Sequence, residues 1–110
     1  MTNTDLQRPD DLSDKGKQAH AAIVAFLEKH KLTYTGGCKA FYSPKEWEER
    51  KEDYGCDSVL VVVHDGGDHG DAFSYDRGNY KILDKMYELL KPLGFYSEQC
   101  TCWYSAIYLA

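Results

Sequence analysis

A chain of 110 residues, 43% hydrophobic and 28% charged, has the make-up of one globular domain rather than a disordered or fibrous polymer. Its net charge of −5 comes without a lysine–arginine cluster to meet a phosphate backbone, which argues against direct nucleic-acid binding. No apolar run approaches bilayer-spanning length, and the N-terminus lacks the apolar stretch of a secretory signal, so no membrane association and a cytoplasmic location are expected.

The charge is uneven. Residues 44–57 carry six acids against three bases, and residues 64–78 carry four acids against Arg77 alone. An acidic middle of this kind suits a basic protein partner. Nine tyrosines dominate an aromatic content of 14%, and tyrosine, apolar in body and polar at its tip, favours half-buried faces and interfaces. The four cysteines, Cys38, Cys56, Cys100 and Cys102, form no C-x-x-C pair and read as reduced thiols.

Residues 1–10 are expected to be a polar, flexible lead-in, with residues 11–110 as a single domain. A helix follows over roughly 13–31. Ala19, Ala22, Ile23, Phe26 and Leu27 form its apolar stripe, and Gly16 weakens its first turn. Residues 32–35 and 38–42 read as short strands around a Gly36-Gly37 hairpin. Ser43-Pro44-Lys45-Glu46 carries a capping-box signature, so a charged surface helix is expected to about residue 53, with Trp47 and Tyr54 on one face.

The run Val59-Leu60-Val61-Val62-Val63, without polar alternation, predicts a central strand buried on both faces. Ala72–Tyr75 could be its short partner. A second long helix, capped by Asn79 or Asp76, carries Ile82, Leu83, Met86, Tyr87, Leu89 and Leu90 inward and exits at Pro92 and Gly94. A single strand over 95–110 would be about 50 Å long, so a hairpin turning near Gln99–Cys102 is expected. The predicted fold is α+β: a two-layer sandwich of about five mostly antiparallel strands, two long helices on one face, and a short surface helix. An aromatic last strand at an exposed edge would favour homodimerisation.

One segment stands out. His64-Asp65-Gly66-Gly67-Asp68-His69-Gly70-Asp71 follows the apolar strand directly. If Gly66-Gly67 were a two-residue hairpin turn, His64 would face His69 with Asp71 on the same side. Two imidazoles and a carboxylate would then share a face, a recognised arrangement for a divalent metal. The simpler reading is an ordinary turn, with glycines supplying positive φ and the histidines solvated. Solvated histidines would affect stability by no more than about 0.5 kcal/mol.

No catalytic motif is present. Glu98, in an aromatic strand, reads as a charge that protects an edge, or as a buried acid if it faces inward. The aromatic residues suited to a binding surface are Trp47, Tyr96, Trp103, Tyr104 and Tyr108. The leading expectation is therefore a small, acidic, non-enzymatic interaction protein, accessory or inhibitor-like, that docks on a basic protein or on itself and needs no cofactor. The alternatives are a metal protein or metal-dependent enzyme built on His64, His69 and Asp71, and a small-ligand pocket between sheet and helices.

Overall fold

A computed structural model of the chain describes residues 6–110. It is an α+β fold, and its described elements run α1 (Asp14–Lys29), β1 (Phe41–Tyr42), α2 (Pro44–Glu49), β2 (Leu60–Val63), α3 (Tyr80–Leu90), β3 (Phe95–Gln99) and β4 (Tyr104–Leu109). The sheet has the order β1-β2-β4-β3 and is antiparallel throughout. Among the described residues it has four strands, not five.

The missing strand has a local cause. Residues 72–75 do not pair. The chain instead forms two short 3-10 turns, Asp68–Ala72 and Tyr75–Arg77. The hairpin expected around Gly36-Gly37 is also absent. Residues 32–35 stay irregular, and the Tyr34 carbonyl accepts the Asp68 N–H at 2.8 Å instead of a ladder bond. The C-terminal hairpin does form. Its turn lacks glycine and asparagine, and is closed by Cys100 and Thr101 N–H groups on the Tyr104 carbonyl and by the Thr101 hydroxyl, which accepts from Trp103 N–H at 3.3 Å. The last strand is not at an edge: β4 lies between β2 and β3, and β3 is the edge.

The helix starts follow their sequence signals. Ser13 caps α1 and accepts from Gly16 N–H at 3.1 Å. Ser43 and Glu46 form the reciprocal capping box of α2, and Asn79 caps α3. Gly16 has a role beyond weakening a turn. A Cβ there would lie 2.5 Å from the Val59 carbonyl, so glycine is what lets α1 approach the head of β2. Helix α2 ends at Glu49, short of the expected residue 53.

Alternation along β2 divides the core. Leu60 and Val62 join Ile23, Leu27, Met86, Leu90 and Ile107 in the larger cluster, beneath α1 and α3. Val61 points the other way and packs with Trp47 and Tyr104. The short helix is thus not purely a surface element, because Trp47 is fully buried. Tyr54, expected on the same face, is exposed. At the N-terminus the expected lead-in lies outside the described residues as far as residue 5. Its described part is anchored: Leu6 enters the larger cluster, and its carbonyl bonds His20 Nε2 at 2.8 Å. Among the described residues no helix is long and apolar enough to cross a membrane.

Candidate functional site

The His64–Asp71 segment does not form the hairpin that would have aligned a metal site. Gly66 takes a left-handed conformation (φ 79°), but Gly67 does not, and the chain then curls into the 3-10 turn. Both histidines are buried, each about 1% exposed, and not solvated. His64 Nε2 lies 2.9 Å from Ser105 Oγ, which donates onward to the Phe73 carbonyl at 3.4 Å. The His64 ring also lies parallel to the Phe73 ring. His69 Nε2 bonds the Val63 carbonyl at 2.6 Å. Its Nδ1 is buried without a well-formed hydrogen bond, though the Tyr34 carbonyl lies close enough to favour the charged ring.

Asp71 turns elsewhere. Its carboxylate lies 3.5 Å from Arg77 Nη1 and accepts from Asn79. Arg77 Nη2 donates to the carbonyls of Gly67, at 2.7 Å, and His64, at 3.3 Å. The segment is therefore stitched inward by one guanidinium. Burial lowers the His64 pKa to about 4, helped by the neighbouring His69 and Arg77, and burial lowers His69 as well. Among the described residues no group of three or more His, Cys, Asp and Glu side chains is placed to hold a metal ion.

The five aromatic candidates separate. Trp47 and Tyr104 lie in the interior with ring centroids 4.8 Å apart, and Tyr104 donates its hydroxyl to the Tyr54 carbonyl. Trp103 is half-buried over the same pair. Tyr96 and Tyr108 are different. They face each other across β3 and β4, stack with centroids 5.4 Å apart, and Tyr96 is 40% exposed.

Strand register explains this split. Tyr42, Val61, Ala106 and Glu98 form one row across the sheet, on the face that carries Trp47. Trp47 covers the Val61 end of the row. At the β3–β4 end Gly55 packs over Ala106, and beside it lies a cleft of about 800 Å³. Its floor carries Tyr96, Glu98, Cys100 and Tyr108, and its wall comes from Glu48 and residues 53–57. Among the described residues four carboxylates line it (Glu48, Asp53, Asp57 and Glu98) and no lysine or arginine does.

Burial, with the neighbouring carboxylates second, shifts the titrating groups here. Burial and the Glu98 charge push the Cys100 thiol up to about 11. Cys56 is raised by burial and by Glu48, Asp57 and Glu52. The Tyr108 phenol is raised by burial, Cys100, Asp57 and other acids nearby. Thiols held protonated in this way are poor nucleophiles at neutral pH.

The sequence reading missed the wall of this cleft. Its signal was the acid excess of residues 44–57, but which of those acids turn inward depends on the chain reversal after Glu49, where Lys51 and Gly55 take positive φ. No protein-family model, curated protein or solved structure matches the chain.

Proposed function

We propose that this protein is a small, non-enzymatic interaction module that works in the cytoplasm by docking a basic protein partner. The observation that carries this reading is the cleft at the β3–β4 end, where two stacked tyrosines and four carboxylates meet with no cation among them. Aromatic anchors ringed by one sign of charge provide both contact area and electrostatic selection. The net charge of −5 acts in the same direction and opposes nucleic-acid binding. Reduced thiols, consistent with the four free cysteines, support the cytoplasmic reading.

A peptide library displayed on phage and selected against the immobilised full-length chain tests this. Enrichment of binders that are lost on Tyr96→Ala supports the reading. No enrichment over an unrelated acidic protein would overturn it. Homodimerisation is the competing use of the same face, and sedimentation over a concentration series separates it from heterotypic docking. The metal reading has each ring Nε2 and the Asp71 carboxylate engaged elsewhere. Stoichiometric Zn²⁺ binding abolished by His64→Ala would restore it.

A further inference from the structure

We infer that the cleft takes an extended, arginine-bearing segment of the partner, with a guanidinium lying on the Tyr96–Tyr108 pair and forked onto Glu98. This rests on the interaction reading above and adds the chemistry of the segment.

The register sets the geometry. Tyr96 and Glu98 alternate on one strand and so project from one face, and the residues opposite them on β4 are Tyr108 and Ala106. Ala106 is fully buried and Gly55 packs over it, so the Glu98 carboxylate borders the cleft next to the wall of residues 53–57. A planar cation seated on the tyrosines therefore meets a carboxylate about one strand repeat away, roughly 7 Å. Guanidinium fits this pairing better than ammonium. It stacks flat on an aromatic face and offers two parallel N–H donors to a carboxylate.

The opposite wall makes a segment a better occupant than a lone side chain. Glu48, Asp53 and Asp57 stand across from the strand floor. One cation satisfies Glu98 and leaves those three unmatched, whereas a second basic residue further along an extended chain reaches them. A volume near 800 Å³ holds several side chains. A second copy of this chain is a poor occupant, because it would bring the same carboxylates against these. Burial is the first cause of the raised Cys100 and Tyr108 pKa values, and the charges of Glu98 and Asp57 add a second part that a bound cation would relieve.

The test uses the full chain and three fluorescent hexapeptides, alternating glycine with arginine, lysine or glutamate, followed by anisotropy. The arginine peptide is expected to bind about three-fold more tightly than the lysine peptide, the margin that stacking on an exposed ring provides. The glutamate peptide is expected not to bind. Glu98→Gln with Asp57→Asn should weaken the arginine peptide about ten-fold, the combined effect of two exposed charge pairs. Tyr96→Ala should remove the preference for arginine, while Tyr96→Phe, which keeps the ring face, should retain it. Circular dichroism checks that each variant is folded.

Equal affinity for the arginine and lysine peptides, unaffected by Tyr96→Ala, would reduce the effect to general charge attraction and overturn the inference. Amide shifts on peptide addition that fall outside residues 53–57 and 95–108 would do the same. In either case phage-selected binders could still exist, so the interaction reading would stand. A failed selection would remove that reading, and with it this inference.

Discussion

Tyr87 of α3 donates its hydroxyl to the Ser97 carbonyl, 3.1 Å away, at the middle of the sheet's edge strand. The pairing pattern shows why that carbonyl is available. The Gly94 carbonyl accepts from Ala110, just past β4, and Cys100 N–H donates to Tyr104, so Tyr96 and Glu98 also bond inward, and Phe95, Ser97 and Gln99 turn their backbone groups outward. Tyr75 supports Tyr87 through a hydroxyl contact of 3.2 Å, and the Gln99 side chain accepts from Tyr75 N–H. An unpaired edge would invite a second strand. Here a helix-borne tyrosine occupies it, which obstructs a dimer formed by strand pairing.

Tyr87→Phe should therefore have two effects. Losing the hydroxyl bond should cost about 1 kcal/mol of stability in urea. The freed edge should also raise self-association, read as a concentration-dependent rise in sedimentation coefficient absent from the wild type. A variant as stable and as monomeric as its parent would show that Tyr87 guards nothing.

Acid should destabilise the fold. The folded-state pKa of His64 lies at about 4, below its ordinary 6.5, so the unfolded chain binds the proton more readily between those values. The stability contributed by neutral His64 is complete above pH 6.5 and is lost as pH falls toward 4, by at most roughly 3 kcal/mol. His69 and His20 shift in the same direction and add to the loss. Urea midpoints between pH 7.5 and 4.5 measure it. A flat profile would contradict the buried neutral rings.

Replacing His64 and His69 together with alanine should cost well over the 0.5 kcal/mol expected of solvated residues. Removing His64 takes one partner from the buried Ser105 hydroxyl, which keeps the Phe73 carbonyl, and leaves a buried cavity; removing His69 strands the Val63 carbonyl, worth about 1–3 kcal/mol when buried. Gly67→Ala should be comparably damaging, since its Cβ would meet the His69 ring at 2.5 Å and the Thr35 backbone at 2.8 Å. Thermal or chemical denaturation of each variant decides it.

Thiol chemistry should divide the cysteines by place. Cys38 and Cys102 are exposed and should react readily with a disulfide reagent. Cys100, with its pKa at about 11, is thiolate in on the order of one molecule in a thousand at pH 8 and should lag far behind. Unfolding should equalise the rates. Fast labelling of Cys100 in the native protein would show that its surroundings are not the acidic, half-buried site described.

Much of the scaffold was legible from residue patterns. The caps at Ser43 and Asn79, the buried β2 and the C-terminal hairpin all follow from local rules. The failures share a cause: tertiary bonds outcompeted local preference. Residues 32–35 and 72–75 have strand-like composition, yet the Tyr34 carbonyl is taken by Asp68, and the Phe73 carbonyl by Ser105. The candidate site was legible in part. Tyr96 and Tyr108 stand out in the sequence as aromatics suited to a binding surface. That they stack, and that Glu98 and Asp57 line the same cleft, depends on a register and a chain reversal that no periodicity encodes.

Arg77 holds the carbonyls of His64 and Gly67 and the carboxylate of Asp71 with one planar head group. These three points span the whole stretch from the end of β2 to the 3-10 turn. Losing that one anchor would loosen all three at once, leaving the segment to Asn79, Ser105 and the carbonyls of Tyr34, Val63 and Trp103. Residues 64–72 are therefore expected to open as one cooperative unit when the guanidinium lets go, which native-state amide exchange would read as a common rate across them. Lysine, with a point charge and no fork, would leave at least one of the three points untied and split that unit in two.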